Sequence, residues 1–190
     1  MDCSVVIPAY NVEVFVARAI QSALDQTEKP ADIIVVDDGS TDGTAAVVRS
    51  FGGIVRYCHQ RNGGASAARN RGIREARGAF IALLDADDEW LPSHLAVAAQ
   101  VFEKHPELAW YCAGNRVQYR DGRSRDRRAP PETLIDNCYL RDYFAAAAQG
   151  TSFHTSTMVV RRGVFEEAGL FDPQFRVGED LDMFFRIALC

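Results

Sequence analysis

The sequence predicts an α/β fold with a mostly parallel, doubly wound central sheet flanked by helices. Short apolar runs alternate with amphipathic stretches of helical length, and the connections between them are short. Residues 33–36 are apolar at every position, which is typical of a strand buried on both faces of a parallel sheet. Repeated strand–helix units of this kind indicate parallel strands joined by crossover helices.

The first half of the chain contains four of these units. The apolar or β-branched runs predict strands over residues 4–7, 33–36, 54–58 and 80–84. Pro8 is expected to end the first strand in a forced turn. The stretches between and after the strands predict helices over residues 13–24, 41–50, 65–76 and 92–104.

The second half is less regular. In chain order it predicts a strand over residues 110–119, an exposed loop over 124–132, a helix over 139–148, a strand over 156–161, a helical turn over 164–168 and a helix over 181–189. The loop is predicted from its charge, its two prolines and its lack of apolar periodicity. The last helix is expected to pack on the sheet through four residues, Leu181, Phe184, Phe185 and Ala188.

Charge and cysteine content narrow the function classes. The formal net charge is −5, and a weakly acidic chain lacks the footprint of a general nucleic-acid binder. The five cysteines contain no C-x-x-C pair, which argues against a zinc site or disulfide framework and favours reduced thiols in the cytoplasm. No secretory signal is evident, and no apolar run reaches the roughly 18 residues of a membrane span. Contact with the inner face of a membrane, the oligomeric state and a segment beyond Cys190 are left open.

Carboxylates follow two predicted strands at the edge where parallel α/β sheets bind ligands. Asp85, Ala86 and Asp87 form a D-x-D motif after the fourth strand, and side chains two apart in extended chain point the same way. Hard oxygen ligands of this kind suit Mg²⁺ or Mn²⁺. The alternative is an acidic loop that caps the helix near Pro92.

Asp37 and Asp38 end the second predicted strand. Residues 40–43 have the composition of a turn and a helix N-cap, for which one carboxylate would suffice. A further carboxylate can accept a hydrogen bond from the ring N–H of a pyrimidine or from ribose hydroxyls. Both aspartates are therefore candidates for nucleotide binding.

Two further motifs are weaker on their own. The segment NGGASAARNRG places a glycine pair before a helix that carries Arg69, so backbone N–H groups and a guanidinium can meet an anion. A glycine cap followed by solvated arginines is the alternative. The segment GEDLD places Asp180 in the first turn of the last helix, where an acidic residue is an ordinary partner of the helix dipole.

Taken in order, five segments resemble glycosyltransferase family 2, whose members have the Rossmann-like GT-A fold. The segments are SVVIPAYN, IIVVDDGSTDGT, NGGASAARNRG, ARGAFIALLDADD and GED. The resemblance implies one catalytic domain over residues 1–190, with a nucleotide-sugar-binding half at 1–105 and an acceptor-side half at 106–190. The Q-x-x-R-W-type acceptor motif of many relatives is absent before Cys190.

Together with the residue patterns, the resemblance implies roles for single residues. The nucleotide-sugar pocket would be lined by Pro8, Tyr10, Asn11, Asp37, Asp38, Arg69, Asp85 and Ala86. Tyr10 would lie near the base, Asp38 would contact the nucleobase, commonly uracil, and Arg69 would lie beside the donor. Asp87 would be the principal metal ligand, assisted by Asp85, and Asp180 would be the general base.

The implied activity is an inverting, Mg²⁺- or Mn²⁺-dependent transfer of a sugar from a nucleotide sugar, with UDP favoured, to a saccharide or lipid-linked acceptor. Cell-surface polysaccharide or glycoconjugate synthesis is the expected setting. A sugar-phosphate nucleotidyltransferase is one alternative, but it would carry a glycine-rich basic loop where this chain has PAYNVEV. A non-catalytic nucleotide-sugar-binding domain is another, but it would have lost Asp87 or Asp180.

Overall fold

The computed structural model describes residues 1–119, 121–127, 134–135, 139–140, 143–149, 151, 153–175 and 177–190. The strands are β1 (Cys3–Ala9), β2 (Asp32–Asp37), β3 (Arg56–His59), β4 (Phe80–Leu83), β5 (Trp110–Cys112), β6 (Asn115–Gln118), β7 (Ser124–Arg127), β8 (Leu134–Ile135), β9 (Tyr139–Leu140) and β10 (Met158–Arg161). The helices are α1 (Val16–Leu24), α2 (Thr44–Ser50), α3 (Ala65–Glu75), α4 (His94–Lys104), α5 (Tyr143–Ala148), α6 (Val164–Glu167) and α7 (Glu179–Ala188).

Six strands form the central sheet in the order β3-β2-β1-β4-β10-β5. The first four in that order are parallel, as the alternation of apolar runs and helices predicts, and β10 runs antiparallel to β4. Val6 of β1 lies in register with Ile34 of β2 and Leu83 of β4. The carboxyl ends of β1, β2 and β4 therefore meet at one edge of the sheet.

Both faces of the sheet are covered, which explains why the central strands are apolar at consecutive positions. Val5 and Ile7 of β1 pack on one face with residues of α1, α2 and α4. Val6 packs on the other face with residues of α3, α5, α6 and α7. On this second face α3 approaches very closely, since a Cβ on Gly72 would lie 2.1 Å from Cγ1 of Val6.

Pro8 does not end β1, because the strand continues to Ala9 and Pro8 pairs with Val36 of β2. The missing N–H is tolerated for a local reason. The carbonyl of Val6 points towards β4 and accepts a hydrogen bond from the backbone N–H of Leu84. Backbone groups two residues apart in a strand point the same way, so the nitrogen of Pro8 also faces the β4 side. The β4 ladder ends at Leu83, opposite Val6, so no partner strand needs a donor from Pro8.

Three expectations for the second half are corrected. The predicted strand over residues 110–119 is two strands, β5 and β6. The predicted helix over residues 139–148 begins with β9, and only its second part is helical, as α5. The predicted loop over residues 124–132 contains β7, paired with β6 and joined by a bidentate Arg116–Asp126 ion pair, while residues 128–132 lie outside the described residues.

The buried face of α7 also differs from the prediction. Met183, Phe184 and Ile187 are buried, whereas Leu181 is 51% and Phe185 is 44% exposed. Arg186 helps to hold the helix in this orientation, because its guanidinium donates to the carbonyls of residues 168 and 170 and pairs with the carboxylate of residue 182. Among the described residues, no helix has both the length and the apolarity to cross a bilayer.

Candidate active site

The loops that follow β1 and β2 are joined side by side. The backbone N–H of Asn11 donates to Oγ of Ser40 (3.0 Å), and its side-chain Oδ1 accepts from the backbone N–H of Thr41 (2.8 Å). Asn11 adopts a left-handed conformation (φ 52°), which asparagine tolerates better than most residues. This turn leaves Tyr10 half-exposed (50%) at the sheet edge, beside the half-buried Pro8.

Asp37 is fully buried at the end of β2. Its carboxylate accepts hydrogen bonds from the Tyr57 hydroxyl (2.5 Å) and the Ser40 backbone N–H (2.8 Å), and Nδ1 of His59 lies 3.6 Å away. Burial alone would raise the pKa of Asp37, but these donors outweigh burial and lower the pKa below its ordinary value. Asp37 is therefore held ionised within the protein interior.

Asp38 is also buried, with 2% of its surface exposed. Its carboxylate accepts from Nε2 of Gln60 (2.7 Å) and from the backbone N–H groups of Gly63 (3.0 Å) and Gly64 (2.7 Å). The glycine pair predicted to meet an anion thus meets the carboxylate of Asp38 in this structure. The nucleobase contact predicted for Asp38 stays a prediction.

Arg69 lies in the interior of α3 and is almost completely buried. One guanidinium nitrogen donates to Oδ1 of Asp85 (2.8 Å) and the other terminal nitrogen to Oε1 of Glu179 (3.0 Å). Burial would lower the pKa of Arg69, but the two carboxylates raise it above its ordinary value. Arg69 is therefore a permanent cation that links the D-x-D turn to the first turn of α7.

The turn after β4 is held by the segment that precedes β10. The Ser156 hydroxyl donates to Asp88 (2.6 Å) and accepts from the backbone N–H of Asp85 (3.0 Å). Nδ1 of His154 lies 3.6 Å from Oδ2 of Asp88. Ala86 is buried, whereas Asp87 is exposed.

Among the described residues, Asp85, Asp88 and His154 form a group whose potential metal-ligating atoms lie within 4.8 Å of one another. Burial raises the pKa of Asp88, and the nearby charges of Asp85 and Asp87 raise it further. A carboxylate cluster of this kind is stabilised by a divalent cation, and its oxygen donors fit Mg²⁺ or Mn²⁺. The set includes the predicted ligand Asp85, whereas the other predicted ligand, Asp87, lies outside it.

Asp88, His154 and Ser156 were not among the predicted site residues. Asp88 could have been proposed from the run of three carboxylates after β4. His154 and Ser156 lie in a serine- and threonine-rich stretch without recognisable spacing. They reach the site only because β10 pairs antiparallel with β4.

Asp180 lies in the first turn of α7, next to Glu179. It is partly buried, and its Oδ1 accepts from the backbone N–H of Leu181 (2.9 Å). Burial raises the pKa of Tyr143 on the neighbouring helix α5 to about 12, and the charges of Cys112 and Asp180 act in the same direction. The described contacts thus connect α7 to Asp85 through Arg69 and leave the Asp180 carboxylate without a side-chain donor among them.

A mostly parallel sheet with carboxylates at the ends of β2 and β4, and an acidic helix start beside them, is the arrangement expected of the GT-A fold. The family model for glycosyl transferase family 2 matches residues 4–169. The chain belongs to this family.

Proteins of known sequence and structure agree with this assignment. The chain is 29% identical to an uncharacterized glycosyltransferase of Rickettsia prowazekii, over 96% of this chain and 57% of that protein. It is 29% identical to the putative teichuronic acid biosynthesis glycosyltransferase TuaG of Bacillus subtilis, over 94% of this chain and 68% of that protein.

Two solved structures share the fold. S. aureus TarS 1–349 in complex with UDP has a TM-score of 0.69 at 19% identity, and the match covers 100% of this chain and 55% of that chain. The mannosyltransferase PcManGT from Pyrobaculum calidifontis, in complex with GDP-Man and Mn²⁺, has a TM-score of 0.68 at 22% identity, with 98% of this chain and 51% of its own length covered.

Proposed function

We propose that this chain is the catalytic domain of a glycosyltransferase that transfers a sugar from a nucleotide sugar, with UDP favoured, to an acceptor hydroxyl, with inversion at the anomeric carbon and with Mg²⁺ or Mn²⁺ as cofactor. The observation that carries the proposal is the Arg69 link, which holds the D-x-D turn and the start of α7 at one sheet edge. A donor site and a candidate base are thereby adjacent. Cell-surface polysaccharide or glycoconjugate synthesis is supported by the relative named for teichuronic acid biosynthesis.

The nucleotide end of the donor is assigned to the edge formed by β1 and β2. Tyr10 offers a half-exposed ring for the base, and Asn11 holds the two loops together. Asp37 and Asp38 supply negative charge at this edge, and Asp38 would contact the nucleobase once Gln60 or a glycine N–H gives way. UDP is favoured by the family resemblance, while the two structural neighbours hold UDP and GDP-Man respectively.

The diphosphate end is assigned to the turn after β4. Asp85 and Asp87 would hold the cation, with Asp88 and His154 as neighbouring donors. When bound, the cation neutralises the charge that develops on the departing diphosphate. Ala86 lies between the two ligands, and because it is buried in the core cluster, its backbone and not its side chain would contact the donor.

Asp180 is assigned as the general base. Its Oδ1 accepts only a local backbone N–H among the described contacts, so the carboxylate retains capacity to accept a proton from the acceptor hydroxyl. Attack in line with the departing diphosphate inverts the anomeric carbon. A protonated acid is unnecessary because the diphosphate is a good leaving group, in contrast to the sugar oxygen that a glycosidase must protonate.

Thermal denaturation with nucleotides and metals tests the donor and cofactor assignments. UDP with Mn²⁺ should raise the melting temperature, because ligand binding to the folded state adds about 2.7 kcal/mol of stability at 100 times Kd. Asp87→Asn should abolish the metal-dependent part of this shift. Glu89→Gln, a change at an exposed carboxylate two residues away that pairs with Arg18, should leave the shift intact.

The same measurements can contradict the proposal. Equal stabilisation by UDP and ADP would contradict the assignment of uracil as the preferred nucleobase. An unchanged Mn²⁺-dependent UDP affinity in Asp87→Asn would contradict the assignment of Asp87 as a metal ligand. Hydrolysis of a panel of UDP- and GDP-sugars then identifies the donor. If none of the panel is hydrolysed or transferred by wild type, the proposed donor class is wrong.

A further inference from the structure

Arg69 is held between two carboxylates that come from distant parts of the chain. Its guanidinium lies 2.8 Å from Asp85, 16 positions away, and 3.0 Å from Glu179, 110 positions away. Only 6% of its side chain is exposed, and the ring of Phe171 lies 5.4 Å from its central carbon. One buried cation therefore joins the turn after β4 to the first turn of α7.

The helix that carries Arg69 is firmly seated. Gly72 allows α3 to approach Val6 of β1 more closely than any side chain would permit. Two residues before Gly72, Asn70 exchanges two hydrogen bonds with the backbone of Phe171, at 2.7 and 2.9 Å. Arg69 thus projects from a helix that is fixed against both the sheet and the segment preceding α7.

A guanidinium suits this position because its planar fork presents donors in a fixed geometry to two carboxylates at once. A lysine ammonium is a point charge and lacks that fork. Both partners are partly exposed (side chains 22% for Asp85 and 17% for Glu179), so the cation is the more deeply buried member. Its charge is paired on each side, as a buried charge requires.

Glu179 directly precedes Asp180 on α7. Fixing the Glu179 carboxylate therefore fixes the backbone from which the candidate base projects. A displacement of about 1 Å at a reacting group can cost about 10²-fold in rate, so this restraint bears on turnover.

We propose that Arg69 and Glu179 form a positioning pair, through which the base Asp180 is held in register with the metal-binding turn at Asp85. In this arrangement Glu179 acts through Arg69 and does not contact the donor or the acceptor. The inference rests on the proposed function, because it takes Asp85 as part of the donor site and Asp180 as the base.

A double-mutant cycle on turnover tests the pair, using Glu179→Ala, Arg69→Met and the double variant. Glu179→Ala should lower kcat by about 10²-fold while leaving KM for the donor and the UDP–Mn²⁺ thermal shift near wild type, since Asp85 keeps Arg69. Glu179→Gln should recover most of kcat, because its amide oxygen still accepts from the guanidinium. Asp182→Ala, which removes the carboxylate that pairs with Arg186 on the same helix, is the matched control and should keep kcat within a few-fold of wild type.

The decisive comparison is made in the Arg69→Met background. There, adding Glu179→Ala should lower kcat no further, because its partner is already gone. If the two changes multiply, or if Glu179→Ala alone leaves kcat unchanged, Glu179 is not acting through Arg69. Should Arg69→Met fail to fold, Arg69→Lys provides the second background, since an ammonium cannot hold both carboxylates. A wild type inactive with every donor would overturn the proposed function itself, whereas multiplying effects in an active enzyme overturn only the positioning pair.

Discussion

The buried carboxylate of Asp38 accepts a hydrogen bond of 2.7 Å from the backbone N–H of Gly64, the residue that immediately precedes α3. Gly64 adopts a left-handed conformation (φ 88°), and Gly63 donates to the same carboxylate at 3.0 Å. The side chain at the end of β2 therefore orders the chain that leads into α3. With the nucleotide contact proposed for Asp38, nucleotide binding would be coupled to the geometry of α3 at this residue.

Asp38→Ala is expected to lower both stability and UDP affinity. Hydrogen bonds to a charged group contribute about 1.5–3 kcal/mol each, and their loss leaves backbone donors without a partner. Urea denaturation measures the free energy of unfolding, and calorimetry measures UDP binding. Asp172→Ala, which removes a half-buried carboxylate that caps a turn, is the control. Unchanged stability together with unchanged UDP affinity would show that Asp38 has neither role.

Gly72→Ala is expected to destabilise the protein by about 1–3 kcal/mol, the usual cost of overpacking a core. The added Cβ would lie 2.1 Å from Cγ1 of the fully buried Val6, and α3 or β1 must shift to accommodate it. Gly53→Ala is the matched control, because a Cβ there meets nothing within 4 Å. Equal unfolding free energies for the two variants would mean that α3 lies further from the sheet than the structure shows.

Tyr57→Phe should lower stability in a pH-dependent way. The pKa of Asp37 lies below its ordinary value of 3.8 in the folded protein, since hydrogen bonds, including that from Tyr57, outweigh burial. A lowered pKa contributes stability that is present above the ordinary value and is lost as pH falls through the folded-state value. The variant should therefore be about 1.5–3 kcal/mol less stable at pH 7, with the difference shrinking below pH 3.8.

The measurement is the urea midpoint of wild type and variant across pH. Tyr119→Phe, a change at an exposed ring, should follow the wild-type curve at every pH. A Tyr57→Phe deficit that stays constant down to the lowest pH would show that the hydroxyl does not stabilise the ionised carboxylate.

Asp180→Asn should retain UDP and Mn²⁺ binding but lower sugar transfer by about 10²-fold or more, the range expected for loss of a general base. Glu179→Gln should be milder, because an amide oxygen can still accept from Arg69. Transfer is measured with the acceptor, or as donor hydrolysis with water in its place. Wild-type rates in Asp180→Asn would place the base elsewhere.

The sequence by itself determined the parallel part of the sheet and the edge at which the site lies. Apolar runs such as residues 33–36 predict strands buried on both faces, and carboxylates that follow such runs must lie at the carboxyl edge. This reasoning predicts that Asp37, Asp38 and Asp85 lie at the carboxyl edge of the sheet. The local pattern was enough because each of these residues is placed by its own strand.

Only the tertiary structure decided which of these groups meet. The return of β10 beside β4 brings His154 and Ser156 to the turn after β4, and the seating of α3 brings Arg69 between Asp85 and Glu179. Ser156 lies 68 positions from its partner Asp88, and Arg69 lies 110 positions from Glu179. Contacts at such separations leave no local periodicity in the sequence. The buried face of α7 likewise depends on contacts outside that helix, which include the core packing of Met183 and Ile187 and the hydrogen bonds of Arg186. Side-chain periodicity determines which face of an element can be apolar, but pairing between distant charges depends on how the elements pack.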